Sequence, residues 1–146
     1  MSQMIKVLTV TDLHRVRALY DQLGKAVESH RPDIVALVGD FLDLGGDNAD
    51  QLSTAKCAEV LSQLPCKEVV FTLGNHEGDN WWEFFTAWQQ TGRKLNALNA
   101  STFVHGPLVI VGFPCLMGDE TAFVDSLRGE DVSGEWQRHW SAKPEE

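Results

Sequence analysis

The first ninety residues alternate between short apolar runs and longer segments with helical periodicity. The apolar runs are rich in β-branched residues and bounded by polar ones, which is typical of strands. They are Ile5–Val10, Asp33–Val38 and Glu68–Leu73. Segments with apolar residues at helical spacing follow each run, and they are His14–Ser29, Gln51–Leu64 and Asp79–Gln90. The pattern therefore predicts alternating strands and helices.

A helix after every strand predicts a β-α-β-α-β unit with a mainly parallel sheet. The near-continuous apolar run Ile34–Val38 fits a strand buried on both faces, as parallel strands are. Farther along, Thr102–Val104 and Leu108–Gly112 flank His105-Gly106-Pro107 and predict an antiparallel pair. The predicted fold class is therefore α/β.

The chain has 146 residues, which suits one domain with a single core. We see no internal repeat or linker, and the pattern weakens after Pro114. We assign residues 1–128 to a partial α/β domain and residues 129–146 to a polar C-terminal tail or interrupted segment. Trp136 and Trp140 are four residues apart, so on a helix they would form one large apolar face that requires a partner surface.

The charge balance narrows the range of partners and compartments. Twelve Lys and Arg residues against 21 Asp and Glu residues give a net charge of −9, which disfavours binding to nucleic acid by bulk attraction. No apolar stretch approaches the ~20 residues of a membrane helix, and the residues before the first strand lack the pattern of a signal peptide, so we do not expect export. Cys57, Cys66 and Cys115 are an odd number without metal-type spacing. We therefore expect free thiols and a cytoplasmic protein.

Polar side chains follow all three predicted parallel strands. The turns read Asp12-Leu13-His14, Gly39-Asp40-Phe41-Leu42-Asp43 and Gly74-Asn75-His76-Glu77. Because the carboxyl ends of parallel strands share one edge of a sheet, these turns should meet there. Carboxylate, imidazole and amide donors form a mixed hard and borderline set that suits Mn, Fe or Zn, in contrast to a soft all-thiolate site. The sequence therefore predicts a metal site at this edge.

The motifs D-x-H, G-D-x-x-D and G-N-H-E, in this order after successive strands, resemble those of the calcineurin-like metallophosphoesterases. The resemblance implies two divalent metal ions: Asp12 and His14 hold one, Asp40 bridges both, and Asn75 holds the other. It also implies that His76 lies near the leaving group and is oriented by Asp43. Two cations ~3.5–4 Å apart need a shared anionic oxygen to offset their repulsion, which agrees with a bridging Asp40.

The resemblance covers residues 5 to about 115 and implies the N-terminal half of a four-layer α/β/β/α sandwich. Leu44-Gly45 stands where many members have Arg-Gly, so a phosphate contact of that arginine is missing. The later histidine motif and the G-H-x-H motif of the family do not occur in this sequence. We therefore expect a truncated or divergent member that binds metal weakly and self-associates through an uncovered sheet.

Other candidate residues have simpler interpretations. His30 is expected on the surface at a helix end, His105 in a hairpin turn, and His139 away from the site. Cys57, Cys66 and Cys115 are expected to be structural thiols. An aromatic stripe is expected to pack in the core, with lining of a substrate pocket as the alternative. Its members are Trp81, Phe84, Phe85 and Trp88.

The predicted function is metal-dependent hydrolysis of a phosphoester substrate, by a phosphatase or a phosphodiesterase. The alternative is a non-catalytic metal-binding or interaction module derived from the same fold. Metal stoichiometry separates the two. Two bound metals with turnover of an aryl phosphate favour the enzyme, and one weakly held metal without turnover favours the module.

Overall fold

A computed structural model of the chain describes residues 4–44, 48–77, 80–98 and 101–114. The elements in chain order are β1 (Val7–Val10), α1 (Arg17–His30), β2 (Ile34–Val38), α2 (Thr54–Ser62), β3 (Glu68–Thr72), α3 (Asn80–Gln90), β4 (Asn96–Ala97), β5 (Ser101–His105) and β6 (Leu108–Gly112). Within these ranges, no helix is both long enough and apolar enough to cross a membrane.

The main sheet has four strands in the order β1-β2-β3-β4, and each neighbouring pair is parallel. A sheet in sequential order with right-handed crossovers has its connecting helices on the same face. The predicted α/β class and parallel β-α-β-α-β core are therefore confirmed. The two-residue strand β4 was not predicted, because so short a segment carries no period-2 signal.

Helix α1 begins at Arg17, three residues later than the pattern predicts. The backbone of the preceding turn is bonded to the loop after β2 instead: His14 N donates to Asp40 O at 2.9 Å, and Arg15 N donates to Phe41 O at 3.2 Å. Asp12, His14 and Arg15 all have positive φ, which is incompatible with a right-handed helix. Tertiary bonding of this turn therefore overrides helical periodicity.

Helix α2 is also shorter than predicted and begins at Thr54 rather than near Gln51. The Ser53 hydroxyl accepts a hydrogen bond from Lys56 N at 3.1 Å, so Ser53 caps the helix. Gln51 instead forms an isolated bridge with Val16, at the entrance to α1. The segment before α2 is therefore part of the sheet-edge loops.

Residues of the main sheet alternate between two apolar clusters. Val35 and Leu37 of β2 pack with the helices, whereas Ile34 packs on the opposite face. The aromatic stripe of α3 lies in the helix-side core, and Phe84 and Trp88 are completely buried there. The prediction that the stripe packs in the core is therefore confirmed.

The opposite face of the sheet is covered in part by the antiparallel pair β5–β6, which confirms the predicted hairpin. Phe103 packs there with Ile34 and Val70. His105 pairs with Leu108 as the last residue of β5 and is half-buried, so its predicted position within the turn is wrong. The ladder extends to this residue, and Gly106 takes the positive φ that the turn requires.

Two of the other minor predictions fall on described residues. His30 is exposed at the end of α1, as expected. Cys57 and Cys66 are free thiols, and burial raises the pKa of Cys57 to about 11, which makes it an inert core residue. Cys115, His139 and the predicted tail at 129–146 lie outside the described residues.

Candidate metal centre

The loops after β1, β2 and β3 meet at the carboxyl edge of the main sheet. Asp12 N donates to Gly39 O at 3.3 Å, which joins the first loop to the second. Gly39 N donates to Thr72 O at 3.1 Å, which joins the second loop to the end of β3. Parallel neighbours deliver their following loops to one edge, so the strand order itself brings the predicted residues together.

Asp12, His14 and Asp40 form one cluster of potential metal ligands. Each contributes a nitrogen or oxygen, and these atoms lie within 4.8 Å of one another. Asp12 Oδ1 is 3.4 Å from His14 Nε2, and the Asp12 side chain is 59% exposed. A hydrogen bond from Thr11 and the neighbouring His14 lower the pKa of Asp12, so this carboxyl is ionised at neutral pH.

Asn75 lies on the other side of Asp40. One terminal atom of its side-chain amide is 3.2 Å from both carboxylate oxygens of Asp40. With NH₂ in that position Asn75 donates to Asp40, and with oxygen there it would be available as a cation ligand beside Asp40. Carboxylate, amide oxygen and imidazole nitrogen are donors that Mn, Fe and Zn accept, so the residues fit the divalent metals implied by the motifs.

Asp43 and His76 form a close pair beside this cluster. His76 Nδ1 is 2.9 Å from Asp43 Oδ1, and His14 Nδ1 is 3.6 Å from the same oxygen. The hydrogen bond to Asp43 raises the pKa of His76. Burial opposes ionisation of Asp43, but hydrogen bonds from His76 and Gln51 outweigh it and lower the pKa of Asp43. The two groups therefore stabilise each other's charged forms.

The close approach of two loops explains two of the glycines that the sequence places in these turns. A Cβ at Gly74 would overlap with Asp40 Oδ1, and a Cβ at Gly39 would lie 2.9 Å from Gly74 Cα. Gly39 also has a φ of +71°, which disfavours other residues. Both positions therefore require glycine, because the backbone of the third loop packs directly on Asp40.

The amino-acid sequence matches the family described as calcineurin-like phosphoesterase over residues 5–145. The chain belongs to that family. Among curated proteins, no significant match is found. The family match agrees with the order and placement of the three strand-end motifs.

Solved structures share the fold of this calcineurin-like phosphoesterase chain. The crystal structure of TT1561 of Thermus thermophilus aligns with a TM-score of 0.62 and 13% identity over 80% of this chain and 52% of that one. Another aligns with a TM-score of 0.56 and 16% identity over 74% of this chain and 52% of its own. The chain thus spans about half the length of these structures.

Glu77 belongs to the third strand-end motif, but the sequence alone predicts no role for it. Its side chain is completely buried and accepts hydrogen bonds from Asp40 N at 3.1 Å, from Leu42 N at 3.0 Å and from Gly74 N. Burial raises the pKa of Glu77 against these hydrogen bonds. A carboxylate that directly follows a strand-end histidine carries no sequence signal for burial, so only the structure reveals these contacts.

Gln51 is the second residue at this edge of the sheet whose position the sequence pattern did not predict. Its Nε2 donates to Asp43 Oδ2 at 2.8 Å and to His14 O at 3.0 Å. Arg15 donates to Gln51 Oε1 at 3.4 Å. Gln51 therefore joins the first loop to Asp43, and its assignment to helix α2 concealed this position.

Proposed function

We propose that this chain binds divalent metal ions at its strand-end loops and hydrolyses phosphoesters. The observation that carries the proposal is the juxtaposition of two groups: Asp12, His14 and Asp40 within 4.8 Å, and the His76–Asp43 pair beside them. Membership of the calcineurin-like phosphoesterase family supports the reaction class. Leu44 is exposed at the position where many members have an arginine that can contact phosphate. This position therefore does not discriminate between substrates, and the proposed substrate class includes both phosphomonoesters and phosphodiesters.

Asp12, His14, Asp40 and Asn75 would hold the metals, with Asp40 shared between them. Divalent cations bound there supply Lewis-acid polarisation of the phosphoryl group and lower the pKa of water. Among the described residues, one metal would have three ligands, Asp12, His14 and Asp40, and the other would have Asp40 and Asn75. We therefore expect the first metal, Mn, Fe or Zn, to bind more tightly than the second.

His76 would act as the proton donor to the departing oxygen, and Asp43 would fix its orientation. Asp43 Oδ1 accepts from Nδ1 at 2.9 Å, which leaves Nε2 to donate to substrate. The His76 side chain is 37% exposed, so an incoming phosphoester can reach it. The raised pKa of His76 keeps a larger share of the imidazole protonated near neutral pH.

A second candidate function is that of a metal-binding or interaction module without turnover. The outer face of the hairpin favours it, because Val104, Val109 and Val111 are 63%, 55% and 51% exposed. Adjacent exposed valines on a short two-stranded sheet favour association with another surface, and we propose a second copy of the chain as the partner. A reducing cytoplasm would suit the free Cys57 and Cys66.

The test uses the full 146-residue chain, stripped of metal with a chelator and titrated with Mn²⁺ or Zn²⁺. Hydrolysis of p-nitrophenyl phosphate and of bis-p-nitrophenyl phosphate is then measured beside metal content. We expect metal-dependent turnover that Asp40→Asn and His76→Ala abolish, with metal content reduced in Asp40→Asn alone. Asp33→Asn is the matched control, because Asp33 is a carboxylate bonded to Lys6 and Lys67 at the opposite edge of the sheet.

The outcomes distinguish the two functions. Turnover that requires metal, His76 and Asp40 supports the phosphoesterase. Stoichiometric metal binding without hydrolysis of either substrate supports the non-catalytic module. Turnover that survives in Asp40→Asn, or metal content that drops equally in Asp33→Asn, contradicts the assigned site.

A further inference from the structure

Glu77 is a buried carboxylate that the proposed reaction does not use. It is 0% exposed, although it lies after the end of β3 at the open edge of the sheet. Its oxygens accept from the backbone of the second loop at Asp40 and Leu42 and from the backbone of the third loop at Gly74. One side chain therefore ties together the two loops that carry the bridging aspartate and the amide ligand.

These contacts leave Glu77 no role as a metal ligand. Oε1 accepts from Leu42 N, and Oε2 accepts from both Asp40 N and Gly74 N. The clusters of metal-ligating atoms in the described part of the chain contain Asp12, His14, Asp40, Asp43 and His76, and not Glu77. Its influence on a metal must therefore pass through the backbone of Asp40.

The backbone of Asp40 requires such support. Asp40 has a φ of 54°, a left-handed conformation that is disfavoured for residues other than glycine, and Gly39 before it has a φ of 71°. The amide of Asp40 has Glu77 as its acceptor, and buried Leu42 has the same acceptor two residues later. Without Glu77 both donors would lose their acceptor, and the Leu42 amide would remain buried without a partner, which favours a different loop conformation.

The Asp40 side chain is held by the same loop. Its Oδ1 accepts from His76 N at 3.0 Å and packs on Gly74, whose own amide donates to Glu77. Asp40 and Glu77 are therefore linked in two ways. The backbone amide of Asp40 donates to Glu77, and the Asp40 carboxylate contacts Gly74 and His76, the neighbours of Asn75 in the third loop. A displacement of the Glu77 carboxylate would move the Asp40 carboxylate relative to Asn75.

We propose that Glu77 is a positioning residue for the metal centre: it fixes the left-handed backbone of Asp40 and holds the bridging carboxylate against Asn75. This inference rests on the proposed metal site. On this proposal, tight metal binding requires Glu77 although Glu77 does not contact the metal. Outer residues that orient metal ligands change affinity by ~10–100-fold when they are replaced.

The principal test is Glu77→Gln, which keeps the shape of the side chain but replaces one acceptor oxygen with an NH₂ group. We expect the Mn²⁺ dissociation constant, measured by isothermal titration calorimetry, to rise ~10–100-fold. At saturating Mn²⁺ we expect kcat to recover most of its wild-type value, because the ligands themselves are unchanged. Glu77→Asp retains the charge with a shorter reach and should fall between the two proteins.

Arg93→Met is the matched control for a purely structural effect. The Arg93 guanidinium also contacts three backbone groups, donating to the carbonyls of Ser62, Leu64 and Cys66 at 2.6–2.8 Å. These carbonyls lie at the last residue of α2 and in the loop before β3, at the edge of the sheet opposite to the metal centre. Arg93→Met should therefore lower the melting temperature and leave the Mn²⁺ dissociation constant unchanged.

Amide hydrogen exchange of the metal-free wild type provides a measurement that needs no variant. The amides of Asp40, Leu42 and Gly74 should exchange as slowly as those of β3, although they lie in loops. Fast exchange of these amides, or a Glu77→Gln protein that binds Mn²⁺ within about twofold of wild type, would overturn the role of Glu77, given the ~10–100-fold effect expected. A wild-type protein that binds no Mn²⁺ while these amides remain protected would overturn the proposed metal site itself.

Discussion

Asp43 Oδ1 lies 2.9 Å from Nδ1 of His76, within hydrogen-bonding distance, at the edge where three loops meet. The two residues come from different loops and are 33 positions apart in the chain. Their pairing engages Nδ1 of the imidazole, and in the proposed reaction Nε2 is the atom that donates to the substrate. It also links the protonation of His76 to the charge of Asp43.

The first prediction concerns this pair in the metal-free protein. The hydrogen bond to Asp43 raises the pKa of His76 above its usual 6.5, and Asp43→Asn removes that carboxylate. We expect the ¹H chemical shifts of His76 to titrate at lower pH in Asp43→Asn than in wild type. Equal His76 titrations would contradict the pairing.

The second prediction concerns Gln51, which donates to Asp43 Oδ2 and to His14 O. Gln51→Leu removes both hydrogen bonds and should lower the free energy of unfolding by ~1–3 kcal/mol. Turnover should decrease more than metal content, because Gln51 contacts the Asp43 carboxylate directly but reaches the assigned ligand His14 only at its backbone carbonyl. Gln89→Leu changes an exposed glutamine of α3 and is the control for added hydrophobicity. Urea denaturation and a metal-saturated assay measure the two effects.

The third prediction compares two glycines. Gly74→Ala introduces a Cβ that would overlap with Asp40 Oδ1, whereas Gly24 of α1 has nothing within 4 Å of an added Cβ. We expect Gly74→Ala to destabilise the fold by ~1–3 kcal/mol and to weaken Mn²⁺ binding. Gly24→Ala should stabilise it by ~0.5–1 kcal/mol, because alanine is the better helix former. Unchanged Mn²⁺ affinity in Gly74→Ala would contradict this prediction, because it would show that the loops can move apart without displacing the metal ligands.

The fourth prediction concerns acid stability at the opposite edge of the sheet. Asp33 accepts from Lys6 N at 2.9 Å and pairs with Lys67 Nζ at 3.3 Å, and these contacts lower its pKa below 3.8. A lowered folded-state pKa stabilises the protein above the unfolded pKa, and that contribution disappears as pH falls through the folded value. Asp33→Asn should therefore cost stability at neutral pH and little in strong acid. Urea midpoints of both proteins across this range provide the measurement.

Much of the fold could be predicted from the sequence because its signals are local. Apolar runs and helical spacing indicated β1–β3, α1–α3 and the hairpin, and strand order then placed the three motif loops on one edge. The boundaries at His14 and Gln51 were wrong because tertiary hydrogen bonds, which have no local pattern, hold these residues in the site. Glu77 was overlooked for the same reason, since its burial depends on amides from loops distant in the chain.

The last prediction concerns the exposed face of the hairpin. Val104 and Val109 are directly opposite each other in the β5–β6 ladder, so their side chains share the outer face with Val111. Burial of such a face against a second copy removes apolar area from water at ~25 cal/mol per Å². We therefore expect the wild-type chain to self-associate with increasing concentration in sedimentation-velocity experiments.

Val109→Lys places a charge at the centre of this face and should shift the protein to the monomer without changing its melting temperature substantially. Gln22→Lys adds the same charge to the exposed surface of α1 and should associate like wild type. If association were driven by the hairpin, the two variants would differ although their net charges are equal. Equal sedimentation of Val109→Lys and Gln22→Lys would assign association to another surface, and a monomeric wild type at all concentrations would remove the main support for the interaction module.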